Sequence, residues 1–386
     1  MRRRTFLLSS AIGALAGNFS FPSFAASGLK ISTDEFFKNS LEKAKRPLSI
    51  LFLGGTNFVG PATVEYLRRR GHSVTLFNRG QTNPYLFPSL EKLRGNRYPD
   101  RHGGLEALKG ERQWDVVIDT WRENPKAVER SLDVLSGRFG KYIYVSSIAV
   151  YGNQNYETVS PITEKTPLPE VEQPASIDED IGYRRSKIIA DNAVLHGAGS
   201  RGVVLRPHGI YGYYMGNDTD GQTYWPIRLQ KGGDILCPGD GLDTVQYIDV
   251  LDVARFIGDA AEGPHSGAYN ISSKITFKAF LEGLQSLSQV PSTLHWVPQQ
   301  SLIDAGVRPF SNMPLWVPRN LGPGFYNVSD ARAAQAGLQY RPFADTFSEV
   351  ISGFYARLGK NYVFDEDIFT GEPAQALLNE LGFISG

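Results

Sequence analysis

Tyr183 and Lys187 stand four positions apart in Tyr183-Arg184-Arg185-Ser186-Lys187. On a helix that spacing places both side chains on one face. A nearby ammonium favours the phenolate and draws a tyrosine pKa down from about 10 toward neutrality. Such a tyrosine can exchange a proton with a substrate hydroxyl while hydride moves at the carbon. Upstream, Tyr144-Val145-Ser146-Ser147 runs into Ile148-Ala149-Val150-Tyr151-Gly152. A strand ending in Ser146-Ser147 brings a hydroxyl to the carboxyl edge of a sheet, where open α/β sheets bind ligands. Ser147 is therefore expected to hydrogen-bond the reacting oxygen beside Tyr183. The alternative is that Ser146 and Ser147 only cap a helix.

A hydride needs a carrier, and a second motif supplies a place for one. Gly54-Gly55-Thr56-Asn57-Phe58-Val59-Gly60 lies between an apolar run and a helical pattern. Glycines permit the tight turn and let backbone approach a pyrophosphate, while the following helix start offers unpaired N–H groups. Gly60 also allows close helix–sheet packing. Asn57 stands where the usual spacing has a middle glycine. The next strand ends in Phe77-Asn78-Arg79-Gly80. Asn78 lacks the negative charge that would bind ribose hydroxyls, and Arg79 can pair with a 2′-phosphate. This tilts the reading from NAD toward NADP; alternatively Arg79 packs over the adenine ring.

These residues need a sheet to bring them together. Leu48–Leu53, Ser73–Phe77, Trp114–Asp119 and Lys141–Ser146 read as short buried strands. Pro61–Arg70, Glu106–Gly110 and Lys126–Leu135 read as helical segments between them. Val203–Arg206, Val245–Ile248 and Ala268–Ile271 are later strand candidates. The alternation predicts an α/β fold with a doubly wound parallel sheet. Residues 47–206 and 244–275 are assigned to the dinucleotide-binding domain. Residues 207–243 and 276–386 are richer in Gly, Pro and aromatics, and are read as irregular segments of a smaller, discontinuous substrate lobe. Beyond residue 360 the only expected element is a short helix near Pro373–Leu381.

Lys+Arg and Asp+Glu number 40 each, so no net charge draws the 386-residue chain to nucleic acid or to an anionic membrane. One cysteine, Cys237, excludes an internal disulfide and a cysteine-rich metal site. The six histidines show no metal-site spacing. Residues 1–25 read as a signal peptide: Arg2-Arg3-Arg4, an apolar run from Phe6 to about Gly17, then Ser23-Phe24-Ala25. Arg3-Arg4-Thr5-Phe6-Leu7 is similar to a twin-arginine export signal, whose machinery carries folded proteins; an ordinary export signal is the alternative. Export to the periplasm or outside the cell, without stable membrane insertion, is expected. Residues 26–46, with Phe36, Phe37 and Leu41, read as an N-terminal arm on a short amphipathic helix.

Taken in order, four motifs resemble the extended short-chain dehydrogenase/reductases, the group with nucleotide-sugar epimerases and dehydratases. They are the Gly54–Gly60 loop, Ser146-Ser147 before Val150-Tyr151-Gly152, Gly182-Tyr183 with Ser186-Lys187, and Leu205-Arg206-Pro207 before Tyr211-Gly212. Tyr247-Ile248-Asp249-Val250 with Asp252-Val253-Ala254 resembles the group's late strand–helix junction. The resemblance covers roughly residues 48–350 and implies a Rossmann-type sheet. It implies that Tyr183 is the general acid/base, that Lys187 binds the nicotinamide ribose and tunes Tyr183, and that Ser147 polarises the substrate oxygen. Pro207 and the residues after it would flank the nicotinamide. A Gly-Gly-Thr-x-Phe-x-Gly loop is also similar to a divergent branch with plastid RNA-associated proteins.

Free nicotinamide cofactor is scarce outside the cytoplasm, so an exported enzyme is expected to hold NAD or NADP tightly and return its hydride. Transient oxidation acidifies the neighbouring C–H and opens epimerisation, dehydration or glycoside cleavage. A carbohydrate substrate is expected, a free sugar or glycoside rather than a nucleotide sugar. Tyr213, Tyr224, Trp225 and Trp316 are candidates for stacking on sugar rings, or for ordinary core packing. The alternatives are a net NAD(P)H-dependent reductase or dehydrogenase and a non-catalytic binding protein. The oligomeric state is not readable from the chain.

Overall fold

The computed structural model describes residues 37, 40–213, 221–364 and 368–385. Residues 1–25, read above as a signal peptide, and Phe36 lie outside the described residues. Twelve strands are named here in chain order: β1 Ser49–Leu53, β2 Ser73–Asn78, β3 Lys92–Arg94, β4 Trp114–Asp119, β5 Phe139–Val145 and β6 Gly202–Pro207, then β7 Ile210–Tyr211, β8 Gly233–Pro238, β9 Thr244–Asp249, β10 Gly267–Ile271, β11 Ser273–Thr276 and β12 Ser292–Val297. Seven of them form one sheet in the order β10-β6-β5-β4-β1-β2-β3. Every neighbouring pair in it is parallel. Strand order reverses between β1 and β4, which places a crevice at their carboxyl ends.

Alternation along the strands explains why the sheet is covered on both faces. Ile50, Phe52, Val116, Ile118, Ile143, Val145, Val203 and Leu205 enter one buried cluster. Leu51, Leu53, Val117, Tyr142, Tyr144 and Val204 enter another. The helices Val59–Arg70 and Val250–Glu262 pack together on the first face, and Lys126–Val134 packs with Tyr183–Gly197 on the second. Each fully buried Val, Leu, Ile or Phe contributes about 1.5–3 kcal/mol. This is the doubly wound parallel sheet expected. From the arm, Phe37 is buried in the first cluster with Leu41 against it, and residues 40–46 are not helical.

The remainder departs from the irregular cover expected. A separate cluster gathers Tyr211, Tyr224, Trp225, Phe277, Phe280, Trp316, Phe347 and Phe354. It is built on the helices Phe277–Ser286, Phe343–Leu358 and Gly371–Glu380 and on a parallel pair, β8 with β12. Trp225 and Trp316 have no exposed surface and Tyr224 is 3% exposed, so these three are core and cannot stack on a sugar ring. Cys237 is buried in the same cluster. Val245–Ile248 is a strand, but β9 pairs with β7 and β11 rather than with the central sheet. Val245 and Tyr247 pack in this second cluster, while Ala333 and Leu338 return to the first. No helix among the described residues is long and apolar enough to cross a membrane.

Candidate active site

The loop Gly54–Gly60 leaves the carboxyl end of β1 beside that crevice. Gly54 and Gly55 have φ of 123° and 92°, which side chains rarely tolerate. A Cβ on Gly60 would fall 2.6 Å from the carbonyl carbon of Gly55, so glycine here lets the helix start close on the loop. With Asn57 in the usual glycine place, the left-handed backbone falls on Phe58, at φ 47°. Phe58 packs against both the sheet cluster and the second cluster.

Two asparagines hold the loop. Asn78 Nδ2 donates to the Gly54 carbonyl at 3.0 Å, and Asn83 Nδ2 donates to the Thr56 carbonyl at 2.8 Å. In the first helical turn Gly60 already donates to the Asn57 carbonyl at 2.9 Å and Pro61 has no N–H, so the amides of Thr56–Val59 are the ones that would meet a bound anion. Val59 begins that helix. Asn78 thus supports the loop in addition to lacking a charge. Its Oδ1 accepts from the Gly80 amide at 3.0 Å and from Arg94 Nη1 at 2.7 Å. Arg94, on β3, lies so close over Gly80 that any Cβ there would overlap the guanidinium. Arg79 is exposed beside it. Sequence reasoning missed Arg94, because a three-residue edge strand with two cations carries no apolar signal, and Asn83, because an asparagine in a loop reads as an ordinary turn residue.

Tyr183 begins the Tyr183–Gly197 helix, after Gly182 at φ 75°. One turn on, Lys187 points back under the sheet edge. Its Nζ donates to the carbonyls of Trp121 and Val145, both at 2.8 Å, and to Tyr144 Oη at 3.0 Å. Ser147 bonds the Tyr183 hydroxyl and also accepts from the Ala149 amide at 3.2 Å. It therefore caps the Ile148–Tyr151 turn and faces the tyrosine at once, joining the two sequence readings. Ser146 is buried, and among the described residues its hydroxyl has no partner.

The electrostatics correct one expectation. Tyr183 lies above the ordinary tyrosine pKa, because burial outweighs the Ser147 hydrogen bond and the Arg122 charge, which both act downward. The cation that favours the phenolate is Arg122, just past β4, rather than Lys187, whose Nζ is 5.8 Å from the ring centre. Burial pushes Lys187 itself down to about 7, against the opposing pull of Asp119 and Asp191.

Buried ion pairs fix these parts. Arg97 grips Asp119 with two bonds of 2.9 and 2.8 Å, and Asp119 accepts from Tyr142 Oη and from the Trp121 amide. That sets the Trp121 carbonyl for Lys187. Arg206 similarly grips Asp191, four residues past Lys187, and reaches Tyr151 Oη. Pro207 ends β6 opposite Ile271 of β10. His208 follows it, stacked on Tyr326, its Nε2 donating to the Phe325 carbonyl at 3.3 Å. Burial holds this imidazole down at about 4, so it is neutral at physiological pH. The glycine cradle, the pinned carbonyls and the unpartnered Ser146 hydroxyl together fit a dinucleotide laid from Arg79 to Tyr183.

Residues 105–272 match the model of the NAD dependent epimerase/dehydratase family. The matched stretch holds Ser147, Tyr183, Lys187 and Pro207 but starts after the glycine loop. The chain is 27% identical over 251 residues to the chloroplast stem-loop binding protein of 41 kDa b of Arabidopsis thaliana, covering 59% of this chain and 61% of that protein. It thus spans less than two thirds of that relative's length. It is 25% identical over 256 residues to a UDP-glucose 4-epimerase of Corynebacterium glutamicum, covering 58% of this chain and 74% of the relative. Among solved structures, the Bordetella bronchiseptica enzyme WbmH in complex with NAD+ superposes with a TM-score of 0.57 at 16% identity, over 81% of this chain and 99% of that one. That likeness establishes the Rossmann-like fold.

Proposed function

We propose that this chain is an NAD(P)-dependent enzyme of the epimerase/dehydratase type, acting on a carbohydrate by transient oxidation. The observation that carries the reading is the meeting of Ser147, Tyr183 and Lys187 at the carboxyl edge of a sheet whose first strand runs into a pinned glycine loop. The relatives' names support the reaction class: one is an epimerase on UDP-glucose, another a structure holding NAD+. The dinucleotide, when bound, supplies the hydride acceptor. Tyr183 takes the hydroxyl proton of the substrate and later returns it; Ser147 orients the same oxygen; Arg122 stabilises the phenolate formed in between. Lys187 would hold the nicotinamide ribose, Pro207 would flank the nicotinamide, and the amides of Thr56–Val59 would hold the pyrophosphate.

The twin-arginine-like start in residues 1–25 supports export, and export favours a tightly held cofactor and a returned hydride over net reduction. Arg79 and Arg94 together favour NADP: Arg79 follows β2 and Arg94 lies against Asn78 and Gly80, where an acidic residue would serve NAD. The test is to denature the purified protein and identify released nucleotide by mass spectrometry. Stoichiometric NADP is expected. Protein that purifies empty and binds neither dinucleotide at millimolar concentration overturns the reading. Tyr183→Phe should abolish turnover of a responsive sugar while nucleotide stays bound.

A further inference from the structure

Lys187 is described above as the ribose-binding cation, yet its donors are already engaged. An ammonium has three N–H groups and no more. All three end on protein acceptors: the Trp121 carbonyl, the Val145 carbonyl and Tyr144 Oη, at 2.8, 2.8 and 3.0 Å. A ribose hydroxyl can be gripped only by exchanging one of these bonds. The three acceptors differ in what they lose. The Val145 carbonyl ends β5 and the Trp121 carbonyl lies two residues past β4; both are main-chain groups that hold Lys187 at the shorter 2.8 Å, and a buried carbonyl that loses a donor is costly, although Trp121 would keep the bond from Tyr144 Oη. Tyr144 Oη keeps its own donated bond to the Trp121 carbonyl, at 2.9 Å, whether or not Lys187 is present. It is also the longest of the three contacts. Lys187 Nζ lies 4.6 Å from the Tyr144 ring centre, so the ring still faces the cation after a small swing.

We propose that Tyr144 is a positioning residue whose hydroxyl holds Lys187 at the sheet edge and yields its place to the nicotinamide ribose of a bound dinucleotide. This rests on the dinucleotide reading of the site. Tyr144 shares the second face of the sheet with Tyr142, whose hydroxyl is committed to Asp119 instead. The two buried phenols of β5 therefore divide the work: one fixes Trp121 through Asp119, the other meters access to Lys187.

The test is Tyr144→Phe, which keeps the ring and removes the competing acceptor together with its bond to the Trp121 carbonyl, a carbonyl that Lys187 still holds. Wild type and variant are titrated by calorimetry with NAD+, NADP+ and ADP, the last having no nicotinamide ribose. The variant should bind the preferred dinucleotide about three- to tenfold tighter, the worth of one released hydrogen bond, and ADP with unchanged affinity. Unchanged or weaker dinucleotide binding, or an equal change for ADP, overturns the proposal. A second measurement uses the wild-type protein with labelled lysine. The Lys187 side-chain resonance should move on adding dinucleotide and stay in place with ADP; a resonance unmoved by dinucleotide also overturns it. Wild type that binds ADP but neither dinucleotide would instead sink the cofactor reading beneath it.

Discussion

Gly60→Ala tests the cradle most directly. The added Cβ would sit 2.6 Å from the Gly55 carbonyl carbon and 2.8 Å from the Gly55 Cα. Carbon atoms in contact prefer about 3.5–4.0 Å, so helix and loop must part by roughly 1 Å. No rotamer change can relieve this, because the atoms met are backbone. Gly55 cannot retreat freely either, since a Cβ placed there would lie 2.8 Å from Leu76 Cδ2 and 3.3 Å from Val64 Cγ2. Overpacking of this kind costs about 1–3 kcal/mol in stability. Binding should suffer more, because the loop amides that would meet the pyrophosphate move off line. Losing one or two hydrogen bonds to a charged group, about 1.5–3 kcal/mol each, weakens dinucleotide affinity at least tenfold. Calorimetric titration beside a chemical denaturation curve separates the two effects. A Gly60→Ala protein that binds dinucleotide like wild type would refute the assignment of this loop to the pyrophosphate.

Asn83→Gly keeps the left-handed backbone at residue 83 (φ 44°) and removes the amide on the Thr56 carbonyl, with the longer 3.4 Å bond its Oδ1 accepts from Tyr85 Oη; dinucleotide affinity should fall about five- to thirtyfold, and unchanged affinity would show that the bond is idle. Lys187, held down at about 7 by burial, binds fewer protons folded than unfolded between about pH 7 and 10.5. Stability from this group therefore rises with pH across that window, by at most about 1.4 kcal/mol per pH unit. Denaturation of wild type and Lys187→Met at pH 7.5 and 9.5 should show the wild type gaining relative to the variant, and parallel behaviour would contradict it. Asp119→Ala strips the counter-charge from buried Arg97 and should cost about 3–5 kcal/mol in urea denaturation; a loss below about 1 kcal/mol would mean that the pair is not buried as described.

Local patterns in the chain determined much of this protein. The apolar runs of β1, β2, β4 and β5 bury both faces, so they are legible as parallel strands without any knowledge of partners. The four-residue step from Tyr183 to Lys187 fixes their common helix face, and the Gly54–Gly60 spacing fixes a loop between strand and helix. What the sequence left open is set by contacts between residues far apart. Whether Lys187 faces Tyr183 or the sheet edge depends on carbonyls 42 and 66 residues away. The charge beside the phenol belongs to Arg122, and the carboxylate that sets Trp121 is held by Arg97, 22 residues before it. Trp225 and Trp316 look alike as sugar platforms or as core, because aromatic side chains serve both; only their burial in one cluster, Trp225 against Phe277 and Trp316 bonded to Asp243, decides for core. Periodicity reports which face of an element is apolar. It does not report which element covers that face, nor which acceptor a buried cation finds, and those two choices place every functional group in this site.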